Sequence, residues 1–282
     1  MAESPQKYSL YILAGQSNMD GLGFVSELPD GLKGPQEEVF IFNPARKDDG
    51  EPLDERAMWE QLHPGHGYGY RTDGRISYPS DRFGPELTFA RRIKELRPKQ
   101  NIALFKYAKS GASIQPHNYD DWGCWDPGYD GINQWDHFEH HYRQAVGNDN
   151  SDGDGKREVL EPTAILWLQG ESDAAYTREI AEAYEANLER VINRMRKLVG
   201  EPDLPAIICQ IADSGMLEEG PALPMADIVQ KAQRNFVKKD DHSRLIKIPS
   251  NHKRPDPWHF DSLTYLELGR RFADAVGRYV VG

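Results

Sequence analysis

Residues 8–19 read YSLYILAGQSNM, and this stretch decides the fold. Tyr8–Ala14 is an apolar run of strand length, and Gly15-Gln16-Ser17 breaks it with a glycine-bearing turn. A run with no polar alternation suits a strand covered on both faces, as in a sheet flanked by helices. Outward from it the same units recur. Glu38–Phe42, Asn101–Ala108 (NIALFKYA), Thr163–Leu168 (TAILWL), Leu204–Ile211 (LPAIICQI) and Arg244–Ile248 read as strands. Between them, Phe83–Leu96, Thr177–Val199 and a segment around Met225–Val237 carry helical periodicity, and Ser262–Val280 reads as a closing helix. Strands separated by helices of this length pair in parallel, because a parallel crossover needs a dozen residues or more. The expectation is α/β: a three-layer α/β/α doubly wound, mainly parallel sheet with long loop insertions, forming a single domain over 1–282.

Two segments fall outside the pattern. Arg46–Asp81 and Ile114–Gln134 are rich in Gly, Pro, Trp, Tyr and His, and loops of that length in a compact domain are often functional. Gly147–Gly155 (GNDNSDGDG) is a third, polar loop.

The bulk numbers narrow the function. The chain of 282 residues is 38% hydrophobic and carries a net charge of -11. Such a surface repels phosphate backbones and anionic lipid, so nucleic-acid and membrane partners are not expected. A neutral or weakly charged substrate fits better. No apolar run approaches the ~18 residues that span a bilayer. Met1–Lys7 is polar and lacks a signal-peptide core, which leaves a cytoplasmic protein or a mature secreted or periplasmic form. Cys124 and Cys209 lie far apart and are read as unpaired thiols.

In an open α/β sheet, ligands bind beyond the carboxyl ends of the strands. Gly15-Gln16-Ser17-Asn18-Met19 follows the first strand, Lys109-Ser110-Gly111 follows NIALFKYA, and Gln169-Gly170-Glu171-Ser172-Asp173 follows TAILWL. Asp256-Pro257-Trp258-His259-Phe260 precedes the last helix. Acyl transfer needs a nucleophile, a base, a group orienting that base and donors for the oxyanion. Ser17 in a tight turn offers the first and His259 the second. Asp256, three residues earlier, is placed to orient the imidazole. Gly111 admits a backbone N–H close to substrate, the Gln169 amide is a candidate second donor and the Ser17 N–H a third. Each piece is weak alone, since a turn serine usually caps a helix. Their order and their places at strand ends make the signal.

At these residues the chain resembles the four blocks of SGNH hydrolases, most nearly carbohydrate esterase family 6 and the sialate O-acetylesterase group, which share the GQSN and QGE wording. Gln16 and Gln169 stand where general SGNH enzymes carry Asp and Asn. The resemblance runs from Tyr8 to the C-terminal helix. It implies a serine esterase that removes O-acetyl groups from a carbohydrate, such as acetylated xylan, without metal or cofactor. It assigns Ser17 as nucleophile, His259 as base, Asp256 as orienter, and Gly111 and Gln169 as oxyanion donors. The partner expected is an acetylated oligo- or polysaccharide. A sialate O-acetylesterase, a short-chain arylesterase and a non-catalytic carbohydrate-binding protein are the alternatives.

Around this core, Gln16 and Asn18 are expected to hold the nucleophile's turn through side-chain to backbone bonds. Glu171 is assigned a structural hydrogen-bonding role near the site, and Trp258 is a candidate support. His137, His140 and His141 have helical spacing without forming His-Glu-x-x-His, so they read as a solvated helix face. Asn148–Gly153 imitates an EF-hand start, but the twelfth position is Val159, which rules that site out. The rings of Tyr119, Trp122, Trp125, Tyr129 and Trp135 either stack on sugar or pin the long loop, with one or two expected at the cleft. Trp59, Tyr68 and Tyr70 pose the same choice.

Overall fold

The computed structural model describes residues 5–117, 122–148, 150–155, 157–248 and 254–279. The stretch quoted above forms β1 (Gln6–Gly15), the middle of a sheet completed by β2 (Val39–Phe42), β3 (Trp59–Gln61), β4 (Ile102–Ala108), β5 (Glu158–Leu168), β6 (Ala206–Gln210) and β7 (Ser243–Lys247). The order is β7-β6-β5-β1-β4-β2-β3. All pairs are parallel except β2 with β3. That antiparallel edge strand was not expected: three residues inside a loop-like segment give no periodicity to read.

The sheet is buried on both sides, and the pleat sorts its side chains. Leu10, Ile12 and Ala14 of β1 join one core, whereas Tyr11 and Leu13 join the other. Three helices supply the first core: α3 (Gln134–Gly147), α5 (Arg178–Val199) and α6 (Ala226–Lys239). α2 (Glu86–Leu96) and α7 (Ser262–Tyr279) pack on each other and cover the opposite face. Two short helices, α1 (Ser17–Asp20) and α4 (Glu171–Ala175), follow β1 and β5 directly.

Local chemistry sets the helix ends. Thr177 Oγ1 accepts the Ile180 N–H at the start of α5, and Gly200 ends it at φ 79°. Asn133 and Asp136 form a reciprocal capping box on α3. Its expected solvated face is corrected by the structure: His137 and His141 are fully buried and only His140 is partly exposed. Phe138 and Tyr142 on the same helix pack edge-on against Phe105 of β4, which turns that side inward. Both cysteines are free and buried. Among the described residues, no helix is long and apolar enough to cross a membrane.

β1 is also where the winding reverses. The chain leaves it toward β2 and returns at β4 on one flank, then crosses to β5 on the other. Gly15 is level with Ala108 and with Leu168, so three loops leave the sheet side by side at this switch point.

Candidate active site

Gly15 makes the first turn possible. Its φ is 152°, and a Cβ there would stand 2.0 Å from the Leu168 carbonyl oxygen. Only glycine lets β1 end this close under β5. The next residue turns on the same contact, Gln16 N–H donating to Leu168 O at 3.1 Å. Gln16 then braces the neighbouring loop: its Oε1 accepts from the N–H groups of Gly170 (3.2 Å) and Ser172 (3.3 Å), and its Nε2 donates to Ser172 Oγ at 3.3 Å. Ser172 Oγ in turn donates to Gly111 O at 2.6 Å. The loops after β1, β4 and β5 are thus joined.

Asn18 attaches the fourth segment. Its Nδ2 donates to Glu171 Oε1 (2.6 Å) and Trp258 O (3.2 Å), and its Oδ1 accepts from Tyr265 Oη (2.8 Å) and Phe260 N (3.4 Å), 242 positions along the chain. Gln16 and Asn18 make the side-chain to backbone bonds expected of them, and those bonds run to the loop after β5 and the segment before α7 rather than within their own turn.

Asp256 and His259 form a unit. Asp256 Oδ1 accepts the N–H groups of Trp258 (2.7 Å) and His259 (2.8 Å), while Oδ2 lies 2.9 Å from His259 Nδ1. A carboxylate there fixes the proton on Nδ1 and leaves Nε2 as the basic atom. Burial alone would raise the Asp256 carboxyl, but the bonds from the His259 ring and the two N–H groups outweigh it and hold it below its ordinary range. It stays ionised.

Ser17, Gly111, Glu171, Trp258 and His259 all line one cavity of about 670 Å³. Among the described residues, the Ser17 hydroxyl and the His259 ring do not hydrogen-bond to each other; they face the same space. In an unliganded site such contacts commonly tighten only when substrate binds. The Ser17 and Gly111 N–H groups take no acceptor among the described residues, so both are available to a ligand. Gly111, at φ 79°, is crowded by Trp122, whose Cγ would lie 2.4 Å from a Cβ.

Gln169 is not brought into the cavity. It is fully buried; its Nε2 donates to Asp173 Oδ2 (2.6 Å) and Ala112 O (3.2 Å), and its Oε1 accepts from Tyr184 Oη at 3.1 Å. With both amide hydrogens engaged it has none for an oxyanion, which corrects its expected role. Gln16 lines the cavity instead, and its second Nε2 hydrogen is uncommitted among the described residues.

Two buried acids sit beside this arrangement. Glu171 has its Oε2 without a partner. Burial raises its carboxyl, against the pull of the Asn18 bond and the Arg254 and His259 charges. Asp173 closes the Gln-Gly-Glu-Ser-Asp run and carries no role legible in the sequence alone. It accepts the Ile114 N–H with both oxygens, at 3.1 and 3.0 Å, and so anchors the loop that carries Gly111.

Burial lifts the Asp173 carboxyl to about 6, over the opposing bonds from Gln169, Ile114 and Gln115. The folded chain thus keeps a proton that the unfolded chain releases near pH 4, and stability falls as pH rises from about 4 to 6. Asp173→Asn is expected to remove this slope, worth up to roughly 3 kcal/mol across the window. Urea unfolding at pH 4.5 and 7 measures it, and an unchanged slope in the variant would contradict the assignment.

Of the aromatic candidates, Trp122, Tyr68 and Trp258 line the cavity. Trp125 and Trp135 are buried and pin the insert, Trp125 packing edge-on against Trp167 at 5.3 Å. Trp59 and Tyr70 are likewise buried, Tyr129 is exposed away from the cavity lining, and Tyr119 lies outside the described residues. Tyr176 also lines the cavity and carried no local signal.

Comparison with known proteins fits this geometry. The family model described as carbohydrate esterase, sialic acid-specific acetylesterase, matches residues 7–278. A probable carbohydrate esterase of Arabidopsis thaliana is 26% identical over 208 residues, 73% of this chain and 70% of that protein. A solved structure of an Arabidopsis thaliana protein has a TM-score of 0.67 at 21% identity, covering 97% of this chain and 98% of the other. A carbohydrate acetylesterase from Xanthomonas citri gives 0.65 at 15% identity, over 96% of this chain and 56% of the other. NanS gives 0.64 at 15% identity, over 98% of both chains.

Proposed function

Because the chain belongs to the sialic acid-specific acetylesterase family of carbohydrate esterases, and is therefore a carbohydrate O-acetylesterase, we propose that it works through an acyl-serine intermediate built on Ser17, His259 and Asp256. One observation carries the assignment. Ser17 and His259 line a single cavity, and the far nitrogen of His259 is held by the Asp256 carboxylate at 2.9 Å.

Ser17 Oγ attacks the acetyl carbonyl carbon while His259 Nε2 takes its proton. The carbonyl oxygen becomes an oxyanion held by the N–H groups of Ser17 and Gly111, with the Gln16 amide as third donor. Asp256 stabilises the imidazolium. The C–O bond to the sugar then breaks, and the alkoxide leaves with the proton from Nε2. Water, deprotonated by the same nitrogen, attacks the acetyl-serine. The bond to Ser17 Oγ breaks, and Nε2 returns its proton to that oxygen as acetic acid is released, ionising to acetate in solution. The whole site is proposed to lie in one domain.

The cavity walls support a narrower reading of the substrate class. Tyr68, Trp122, Tyr176 and Trp258 line the cavity with aromatic surface of the kind that packs on a pyranose, and among the described residues no Lys or Arg lines it. A carboxylated sugar confined to this cavity would find no cation and would meet Glu171; the cations Arg46, Arg56, Arg71 and Lys109 line the adjoining hollow, beyond the shared walls Tyr68, Ser110 and Trp122. We therefore place an acetylated neutral sugar, of the kind in acetylxylan oligosaccharides, ahead of an acetylated sialic acid and of simple aryl acetates. Released acetate measured side by side on these three substrates tests the order. The expected kcat/KM is at least about tenfold higher on acetyl-xylo-oligosaccharide than on acetylated sialic acid, about the worth of one unfavourable charge contact. The reverse order would overturn the neutral-sugar reading.

A further inference from the structure

Away from the cavity, three side chains converge beside the edge strand. Glu60 on β3 and His63 and His66 just after it bring a carboxylate oxygen and two ring nitrogens within 4.8 Å of one another. His66 is fully buried and its Nε2 has no hydrogen-bond partner. Glu60 Oε1 stands 3.7 Å from it, beyond a hydrogen bond.

His63 meets the same carboxylate from its exposed side. Its Nδ1 lies 2.7 Å from the Pro64 carbonyl oxygen, a distance that requires the proton on that nitrogen. In a neutral ring Nε2 is then a bare lone pair, yet it faces Glu60 Oε2 at 3.1 Å. Two lone pairs repel at that separation. Either a second proton on the ring or a cation shared with the carboxylate removes the conflict, and only the cation also gives His66 Nε2 a partner.

We propose that Glu60, His63 and His66 form a zinc site, with both Nε2 atoms and one Glu60 oxygen as ligands and water as the fourth. Two imidazoles and a carboxylate are a donor set zinc accepts, with bonds of about 2.0–2.2 Å. Ligands on such a tetrahedron lie about 3.4 Å apart, so these side chains need to close by roughly an ångström. The surroundings match those of a metal centre. Pro64 O orients His63, while Tyr70 Oη (2.5 Å) and Ser77 Oγ (2.6 Å) donate to the two Glu60 oxygens. The Asn43 amide reaches His66 Nδ1 at 3.2 Å, and its Oδ1 is unpartnered. Turning that amide over presents the oxygen to Nδ1 and frees Nε2 for the ion. It gives up a 3.3 Å bond to the His66 carbonyl, which Lys106 also serves at 2.9 Å. The ion would rivet the segment that carries Tyr68, a wall of the substrate cavity, from behind. This departs from the metal-free expectation drawn from the sequence, where Glu60-x-x-His63-x-x-His66 matches no standard motif.

The test uses the whole chain, stripped with chelator and titrated with zinc chloride against a chromophoric zinc indicator, with thermal unfolding on the same samples. The parent is expected to bind one zinc per chain and to gain several degrees of midpoint at a large excess over its Kd. His63→Ala and Glu60→Gln are expected to weaken binding at least tenfold and to abolish the midpoint gain. Should His63→Ala lack the parent's far-UV circular dichroism, His63→Gln is read in its place. Absence of zinc uptake by the parent would overturn the proposal in favour of a plain His63–Glu60 ion pair. Equal uptake by the His63 variant would overturn it too, by placing the ion elsewhere.

Discussion

Ser17→Ala is expected to lower kcat for acetate release by roughly 10⁴-fold or more with the fold intact. The proposed nucleophile's hydroxyl has no hydrogen-bond partner among the described residues and faces the cavity, so its removal disturbs no packing and costs little stability. The oxyanion donors and the aromatic walls remain, and with them a residual rate above that of water. Acetate release from an acetylated xylo-oligosaccharide measures the loss. A fluorophosphonate adduct on Ser17 in the parent, absent from the variant, locates the reacting oxygen. A variant that turns over at the parent's rate would remove Ser17 from the mechanism, and an adduct on another serine would name its replacement.

The second large effect is on stability. Lys106 sits mid-strand on β4, fully buried, and spends its three protons on Asp20 O (2.8 Å), His66 O (2.9 Å) and Glu86 Oε2 (2.8 Å). Burial lowers its pKa, against the opposing pull of Glu86 and Asp20. The pair costs a large desolvation, which only complete satisfaction offsets. Lys106→Met leaves the Glu86 carboxylate uncompensated and removes the donor from two carbonyls, for an expected loss of about 3–5 kcal/mol. That is a large share of the ~5–15 kcal/mol by which a folded domain is stable. Replacing Glu86 by Leu as well takes out the stranded charge, so the double variant is expected to be more stable than the single one. Urea unfolding of the three proteins decides. A single variant within about 1 kcal/mol of the parent would show that the cage is not holding α1, the His66 turn and α2 together.

What the sequence disclosed and what it hid follow from the range of each interaction. Continuous apolar runs such as YSLYILA announce strands buried on two faces, because that pattern is local. The alternation of these runs with amphipathic helices announces parallel pairing. Ser17, Gly111, Asp256 and His259 stand out in the sequence because they sit in glycine turns, at a strand end and before the last helix, and the structure brings Ser17, Gly111 and His259 to one cavity with Asp256 bonded to His259. The place of Gln169 is not legible locally, since only the fold reveals that Asp173 and Ala112 claim its amide. Asp173 and Tyr176 went unnoticed for the same reason: their partners are loops distant in sequence. The edge strand Trp59–Gln61 exists through pairing with β2 and has too few residues to show a period. The buried face of α3 looked polar because its histidines are polar in name, while Phe138 and Tyr142 decide which way the helix turns.

Asn18 has a bearing on when catalysis begins. Three of its four contacts knot the turn holding the proposed nucleophile to the segment holding the proposed base, at opposite ends of the described chain. A partly made or partly unravelled chain can therefore possess the whole of β1 and still be inert. Esterase competence is expected to require residues 256–265 settled against the first strand's exit. Turnover then reports on that docking, and it is expected to vanish on mild perturbation of α7 before the rest of the sheet gives way.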